Sequence, residues 1–419
     1  MAFKMKYSQL KWFSMELLII SFFSFDNFQG SICRVYDLAV VLWLFSFFYE
    51  MCVLRTGLKK LTYTKMMVVF LITCASSLIV ATDAYVDNSL GMFERVLKTV
   101  LLTITIISTI NDETELVHIW RPAFTGGIIA VLYQFANVSF AGLGSTALQS
   151  AVMRVSLSEK IFVNTYAYQM VISFIGGYFL LLWYKNNAIT PIRANIVRLL
   201  ILVGMVALLI GMFLTGSRKV LFAVVIFLFI SICYGKKNFW KSVLIIVLVL
   251  YSYQALLSVP AFYNTVGWRI ENMVEDKADK SADERNQLID DAISTGNNHL
   301  FGVGLDNSKY YSSTREVYAH NNYFEFYADF GLLGMLAYYS FYVAFLFKIM
   351  LYHPTEKEKQ QEQNFYLAII MMMIFTEWFQ IVYYNFGYHL ILSSVAMYYY
   401  CVKNFNGGAY ENRNNNSLQ

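Results

Sequence analysis

The sequence has few charged residues and few prolines for its length. Only 14% of its 419 residues are charged, and only four are proline. Soluble domains carry about 25% charged residues, whereas 58% of this chain is hydrophobic and 17% is aromatic. This deficit excludes an ordinary soluble protein. It predicts an all-α polytopic integral membrane protein, because a helix satisfies its own backbone hydrogen bonds inside lipid.

Motifs for metal and nucleotide binding are absent from the predicted external loops. These loops contain no Asp-x-Asp, no cluster of cysteine and histidine, and no Walker-type glycine-rich sequence. The five cysteines lie in or beside apolar runs, a spacing that fits neither a disulfide framework nor a metal site. We therefore expect no cofactor and no metal ion.

Apolar runs long enough to cross a bilayer recur along the chain. A hydrocarbon core about 30 Å thick needs roughly 20 apolar residues per helix. We predict about twelve transmembrane helices, near residues 12–25, 36–54, 66–82, 96–110, 117–137, 165–184, 197–214, 219–234, 240–258, 322–347, 365–383 and 386–402. The chain is then a single membrane domain, residues 1–419, with a long loop at residues 259–320 between spans nine and ten.

Lysine and arginine in alternate short loops indicate the orientation. The N-terminal segment is basic, and so are the loops that should share its side, for example Lys59 and Lys60, Lys236 and Lys237. With twelve spans both termini are cytoplasmic, and the loop at residues 259–320 is external. Another external segment, residues 139–164, is predicted to be interfacial and contains the candidate cation Arg154.

A short polar turn at residues 215–219 joins the seventh and eighth spans on the external side. It places Arg218 and Lys219 at the N-terminus of the eighth span. A helix N-terminus favours an anion such as phosphate, through its dipole and its free N–H groups. The alternative is that both cations snorkel to the membrane interface.

The external loop contains one predicted amphipathic helix, at residues 282–294, whose start has the spacing of a capping box. Arg285 shares a face with Leu288 and Ala292, and this apolar face should pack on the membrane domain. A buried guanidinium needs an anionic partner. That partner is either a structural carboxylate or an anionic substrate.

His320 opens the tenth span from the external side, on a face predicted to be aromatic. An unperturbed imidazole pKa near ~6.5 suits proton abstraction at neutral pH, although a lone histidine is more often held structurally by hydrogen bonds. Asn321 follows it, and Glu325 belongs to a polar stripe of the same helix. Ionisable residues inside spans are functional candidates. His389 is the nearest rival as a base.

The order and spacing of these motifs resemble the O-antigen ligase and polymerase superfamily. The motifs cover about 120 residues, and the span count and long external loop extend the resemblance to nearly the whole chain. They are Thr215-Gly216-Ser217-Arg218, then Arg285, then Leu300-Phe301-Gly302-Val303-Gly304-Leu305-Asp306-Asn307, then His320-Asn321-Asn322-Tyr323-Phe324-Glu325-Phe326, then Phe330-Gly331-Leu332-Leu333-Gly334.

The resemblance implies a GT-C-type fold and an inverting, metal-independent glycosyltransferase. His320 matches the family's proposed base, and Arg218 and Arg285 match its pyrophosphate-binding arginines. Arg269 is the alternative to Arg285, because the run before Arg285 is more charged than is usual in the family.

The expected function is a polymerase that joins undecaprenyl-pyrophosphate-linked oligosaccharide repeat units into a surface polysaccharide, such as O-antigen, capsule or exopolysaccharide. It would act at the outer face of the bacterial cytoplasmic membrane. One alternative is a ligase that transfers glycan to a lipid A core or a protein. Another is a flippase for lipid-linked oligosaccharides, which should carry charges in several spans rather than at one loop and one turn. Expected partners are the lipid-linked donor and acceptor, membrane lipids, a chain-length regulator and a flippase, and no nucleic acid.

Overall fold

The regular structure of the described residues is helical. A computed structural model describes residues 2–25, 34–53, 62–82, 84–137, 163–186, 191–215, 217–233, 280–313 and 316–400. The helices are α1 (Ala2–Phe25), α2 (Arg34–Val53), α3 (Thr62–Val80), α4 (Val86–Thr109), α5 (Val117–Asn137), α6 (Val163–Asn186), α7 (Pro191–Leu214), α8 (Arg218–Cys233), α9 (Lys280–Asn298), α10 (Asn322–Leu351), α11 (Lys357–Glu377) and α12 (residues 386–400). Single 3₁₀ turns lie at Thr114–Leu116 and Ser308–Tyr311.

Six helices of the described part are long and apolar enough to cross a membrane. They are Arg34–Val53, Tyr63–Val80, Thr114–Ala136, Asn164–Lys185, Ile192–Leu214 and Asn322–Leu351, and a shorter apolar helix covers Lys219–Ile232. The predicted ninth span at residues 240–258 lies outside the described residues, and so do Arg154 and Arg269. The all-α membrane class is confirmed, whereas the count of twelve spans and the GT-C fold stay predictions.

Helix α4 begins ten residues before the span predicted at residues 96–110. Its first turns contain exposed polar residues from Asp87 to Lys98, which the hydropathy pattern alone assigns to a loop. Ser89, Met92 and Val96 are buried on the opposite face. The helix is therefore amphipathic in its first half, and the charged stripe belongs to a helix rather than to a connection.

The described residues fall into two compact units, and unit 1 draws on residues 1–57, 116–279 and 355–368. Within it, α5 packs closely against α1 and α6. A Cβ at Gly126 would lie 2.7 Å from Cβ of Phe23 on α1, and a Cβ at Gly127 would lie 2.2 Å from Oγ of Ser173 on α6. Glycines of this kind let membrane helices approach each other closely, so these two contacts fix the spacing of three helices.

Unit 2 draws on residues 58–115, 280–354 and 369–419. Its core is aromatic. The ring of Phe70 on α3 lies 6.0 Å from that of Phe326 and 5.1 Å from that of Tyr338, both on α10, measured between ring centroids. Phe326 and Tyr338 stack at 4.4 Å. Aromatic pairs at these separations contribute about 0.5–1.5 kcal/mol beyond their buried area, so these rings stabilise the packing of α3 against α10.

Helix α10 is kinked at Gly331, whose φ of 68° and ψ of −178° are not helical. The carbonyls of Ala328 and Asp329 would otherwise accept hydrogen bonds from residues four further along the helix. Instead they accept from the loop before α10: the N–H of Val303 donates to Ala328 O at 3.0 Å, and that of Gly304 donates to Asp329 O at 3.1 Å. The kink therefore creates the docking site for the glycine-containing loop at residues 301–307.

A buried polar network connects α10 to the segment that follows α11. The side-chain amide of Asn322 donates to Tyr339 Oη and to Glu377 Oε2, both at 2.8 Å, and its carbonyl accepts from Val382 N–H at 3.1 Å. Tyr388 also donates to the Glu377 carboxylate. A buried carboxylate needs several partners of this kind. The network therefore fixes the first turn of α10 to the end of α11 and the segment that follows it.

Candidate functional site

In unit 1, the predicted turn before α8 is present. The Thr215 hydroxyl donates to Met212 O at 2.6 Å and accepts from Ser217 N–H at 3.3 Å. Ser217 Oγ donates to Asn164 Oδ1 at 3.1 Å, near the start of α6. Arg218 is then the first residue of α8. The prediction that Arg218 and Lys219 stand at a helix N-terminus is thereby confirmed.

In unit 2, the predicted helix of the external loop is confirmed as α9, with its start two residues earlier than expected. Leu288 and Ala292 are buried, as the amphipathic pattern predicts. Arg285, however, is exposed, and no described residue gives it a hydrogen bond or an ion pair. The interpretation of Arg285 as a buried guanidinium is therefore wrong. The physical reason is that burial of α9 begins at Leu288, so its first turns project beyond the surface on which the helix packs.

His320 does not lie on the tenth span, contrary to the prediction. Helix α10 begins at Asn322, and Asn321 is its N-cap, with the Asn321 side chain accepting from the N–H groups of Tyr323 and Phe324 at 3.0 and 3.3 Å. His320 precedes the cap and has a left-handed backbone with φ of 57°. It therefore leaves the aromatic face on which regular helical geometry would place it.

The left-handed conformation of His320 is imposed by its two neighbours. The N–H of Ala319 donates to Oε2 of Glu325 at 2.8 Å, and Asn321 on the other side is held by its capping bonds. Ala319 and Asn321 are both buried, whereas His320 is only partly buried. Strained backbone of this kind costs about 1–3 kcal/mol and concentrates at functional sites. The cap and the carboxylate thus hold the backbone of His320 in one conformation.

Glu325 and Asp329 position the external loops rather than offering a free carboxylate. The second oxygen of Glu325 accepts from Ser308 Oγ at 2.9 Å, and Asp329 accepts from the N–H groups of Asp306 and Ser308, both at 2.9 Å. Both carboxylates are fully buried. The predicted candidate Glu325 is therefore a positioning residue, and Asn321 has the same character as the helix cap.

Tyr318 is a member of the site that the sequence pattern did not identify. Its ring makes an edge contact with the His320 imidazole, 4.4 Å between ring centroids. Burial and the charge of Glu325 raise the pKa of the Tyr318 hydroxyl, whereas the Arg285 guanidinium lowers it. Arg285 thus acts on the residue that contacts His320. The sequence did contain a signal for Tyr318: it is an aromatic residue two positions before the candidate base, and aromatic residues beside a base are expected in a carbohydrate site.

His389, the rival candidate base, and His299 both have other partners in unit 2. His389 is fully buried, and its Nε2 lies 2.6 Å from Tyr383 O, with the Tyr63 hydroxyl 3.5 Å from Nδ1. His299 is exposed, but its Nδ1 lies 3.0 Å from Thr295 O of its own helix. His320 differs from both, because it is partly exposed and the residues on either side of it are fixed by hydrogen bonds.

A comparison with known families identifies this part of the chain. The model of the O-antigen ligase family matches residues 203–339, about a third of the chain. The match includes Arg218, Arg285 and His320, and it confirms the resemblance to the O-antigen ligase and polymerase superfamily. The match suggests glycan transfer of the ligase or polymerase type, and together with the apolar helices it suggests a multi-pass bacterial membrane protein. No curated protein matches it.

Proposed function

We propose that this protein is a polymerase that joins undecaprenyl-pyrophosphate-linked oligosaccharide repeat units at the outer face of the bacterial cytoplasmic membrane, with both termini cytoplasmic. The observation that carries the proposal is the geometry of His320. Hydrogen bonds to a helix cap and a buried carboxylate fix the backbone on both sides of His320, which has a left-handed conformation and a partly exposed side chain. A general base needs this combination of fixed position and access to substrate.

The proposed reaction is a displacement at the anomeric carbon of the donor sugar. The acceptor hydroxyl oxygen forms the new glycosidic bond while the bond from the anomeric carbon to the pyrophosphate oxygen breaks. The electron pair of that bond leaves with the lipid pyrophosphate, and the hydroxyl proton passes to the His320 imidazole. Proton removal of this kind contributes about 10²–10⁴-fold to rate. The sugar phosphate is already activated, so the proposal requires no nucleotide and no metal ion.

Cations should stabilise the negative charge that develops on the pyrophosphate. Arg285 is suited to this role, because its side chain is exposed on α9 and its charge reaches Tyr318 beside His320. Arg218 stands at the N-terminus of α8, where N–H groups can add to an anion site. Preorganised positive charge is often the largest single contribution to a rate enhancement. We assign both arginines to the donor pyrophosphate and His320 to the acceptor.

The test uses purified full-length protein and a defined undecaprenyl-pyrophosphate repeat unit. A ladder of products from the repeat unit alone supports the polymerase, and its persistence in chelator supports the metal-independent mechanism. A single transfer that requires added lipid A core or protein acceptor would identify a ligase instead. Movement of the repeat unit across a vesicle membrane without any new glycosidic bond would identify a flippase and exclude the proposed reaction.

A further inference from the structure

A cavity of about 590 Å³ lies in unit 2 between the first half of α4 and the loop at residues 306–309. Sites for small organic ligands usually have volumes of about 300–1,000 Å³. One wall is the exposed polar stripe of α4, and the other includes Asp306, which has a left-handed backbone with φ of 61°. The cavity therefore has the size of a ligand site, and its loop wall carries the same kind of backbone strain as His320.

The wall of the cavity carries charges of both signs beside the apolar Met92. Its charged residues are three acidic and three basic ones: Asp87, Glu94, Asp306, Arg95, Lys98 and Lys309. A carboxylate only accepts hydrogen bonds, and an ammonium or guanidinium group only donates them. A phosphate would meet three carboxylates here, and a cation would meet three positive charges. A sugar hydroxyl both donates and accepts, so a saccharide is the ligand that this wall fits best.

Gly91 indicates that the space itself is kept open. It lies inside α4, where glycine costs about 1 kcal/mol relative to alanine. A Cβ at Gly91 would meet no atom within 4 Å, whereas a Cβ at Gly126 or Gly127 would meet atoms closer than 3 Å. Packing within the described residues therefore does not require this glycine. Its effect is to leave the wall of the cavity without a side chain.

The loop wall is fastened to the same carboxylate that positions His320. Lys309 Nζ lies 2.6 Å from Asp306 Oδ2 and donates to Asn88 Oδ1 at 3.0 Å, so the loop is attached to α4. Ser308, between Asp306 and Lys309, donates to Oε1 of Glu325. The other oxygen of Glu325 holds the backbone next to His320. One buried residue thus connects the cavity wall with the candidate base.

We propose that this cavity binds the saccharide part of the acceptor substrate. The inference rests on the proposed function in one respect, because it identifies the saccharide as the acceptor through its connection to His320. The cavity fixes the sugar by hydrogen bonds to its hydroxyls, and the reacting hydroxyl extends toward the imidazole. Holding the acceptor in this way supplies the orientation that a bimolecular displacement otherwise lacks.

The experiment fills the cavity from the position of Gly91. The full-length chain is reconstituted in lipid nanodiscs and titrated calorimetrically with oligosaccharide fragments, prepared by partial acid hydrolysis of the source cell's surface polysaccharide. Gly91→Trp should weaken binding at least tenfold. Leu90→Trp is the matched control, because Leu90 is exposed one residue earlier and does not line the cavity. It should bind as the wild type does, and both variants should melt within a few degrees of it.

Charge variants separate a saccharide site from a phosphate site. Glu94→Gln and Arg95→Gln should each weaken binding of the fragments several-fold, since a sugar uses both an acceptor and a donor. If the cavity were an anion site, Glu94→Gln would tighten the binding of inorganic pyrophosphate and pyrophosphate would displace the fragments. That result would overturn the proposal, as would a wild type that does not bind the fragments or a Gly91→Trp variant that binds them equally well.

A transfer assay run in parallel keeps this inference distinct from the proposed function. If the wild type elongates lipid-linked repeat units and Gly91→Trp does so with an unchanged KM, the cavity is not the acceptor site although the enzyme assignment stands. If the wild type binds fragments in a Gly91-dependent way but transfers nothing, the saccharide site stands and the polymerase assignment fails.

Discussion

The backbone N–H of Ala319 donates a 2.8 Å hydrogen bond to the buried carboxylate of Glu325. This bond joins the residue before the candidate base to the first turn of α10. The other carboxylate oxygen of Glu325 accepts a hydrogen bond from Ser308. A single side chain thus fixes two segments that are separate in sequence. An acidic residue near a candidate base is readily taken for a second proton donor. Here both oxygens accept hydrogen bonds from the protein, which makes the residue a support for His320.

Replacement of Glu325 should therefore reduce catalysis by displacing His320. Glu325→Ala should lower the turnover rate by roughly 10²-fold, the effect expected of a reacting group displaced by about 1 Å. Glu325→Gln should stay within a few-fold of the wild type, because its carbonyl can accept from Ala319 N–H while its amide can donate to the Ser308 hydroxyl. Rates with the lipid-linked repeat unit and melting temperatures in detergent would test this. A glutamine variant as inactive as the alanine variant would show that the charge itself is required.

Glycine is required where the loop meets the kink of α10. A Cβ at Gly302 would lie 2.2 Å from Asp329 O, and one at Gly331 would lie 2.1 Å from Leu300 O, with both glycines at positive φ. Neither contact can be relieved by moving a side chain. Gly302→Ala and Gly331→Ala should each lower the unfolding free energy by at least roughly 2 kcal/mol, as strained backbone and a lost buried contact together imply.

Thermal unfolding in detergent measures this effect, and Gly91→Ala provides a matched comparison. It makes the same substitution at a helical glycine with open space around it. Its melting temperature should be equal to that of the wild type or higher, because alanine favours a helix. If all three variants had the same melting temperature, the close approach of loop and helix would contribute nothing to stability.

Attachment of residues 312–313 to α9 should depend on pH through Asp291. Burial alone would raise the pKa of Asp291, but hydrogen bonds from the backbone and hydroxyl of Ser313, with further bonds from Gln287 and Ser312, lower it below its ordinary value. A carboxyl whose pKa is lower in the folded state stabilises that state when it is ionised. The contribution is complete above the unfolded-state pKa of about 4. It is lost as the pH falls through the folded-state value.

Hydrogen exchange at residues 312–313 measures this attachment. Asp291→Asn should raise exchange relative to the wild type at neutral pH, and the difference between the two proteins should shrink below about pH 4, where the wild-type carboxyl also becomes neutral. Asp290→Asn removes the same charge from the neighbouring exposed position. Equal effects of the two variants would show that the net negative charge of α9, and not the hydrogen bonds of Asp291, holds residues 312–313.

The sequence predicted the structural features that depend on residues close together in the chain. The apolar spacing of α9 placed Leu288 and Ala292 in contact with the unit, and the turn before Arg218 followed from its polar residues between two apolar runs. The same reasoning failed for Arg285, since a helix can extend beyond the surface that buries it. Helical periodicity also failed at His320, because the N-cap at Asn321 starts α10 at Asn322, two residues after the histidine.

The remaining features depend on contacts between distant parts of the chain. The bond between Ser308 and Glu325 spans 17 residues, and the one between Asn88 and the Asp306 carbonyl spans 218. No periodicity in the sequence encodes such pairs. The kink at Gly331 matters only because the loop at residues 301–307 supplies donors for the carbonyls that it frees. Sequence reasoning therefore found the candidate base and arginines, but not the carboxylates that position the base or the cavity beside it.

Replacing the arginines and replacing His320 should impair different steps of the reaction. Lysine keeps the charge of arginine but loses the planar fork that can hold two phosphate oxygens at once. Arg218→Lys and Arg285→Lys should therefore bind the lipid-linked donor at least tenfold more weakly and also turn over more slowly. Lys357→Arg, at the start of α11 and outside the proposed site, provides a control for exchanging these two side chains. Unaltered donor binding in both lysine variants would remove the arginines from the pyrophosphate site.

His320→Ala should bind the donor as the wild type does, because the imidazole is proposed to act only on the acceptor hydroxyl. Its residual activity should lose the rise with pH that a titrating base gives to the rate profile. The competing account is that His320 merely fills a structural position before the cap of α10. A glutamine at residue 320 could serve such a role through hydrogen bonds, but it could not accept the proton. His320→Gln protein with a wild-type melting temperature should therefore be inactive, and near-normal polymerisation by that variant would leave the histidine without a catalytic role.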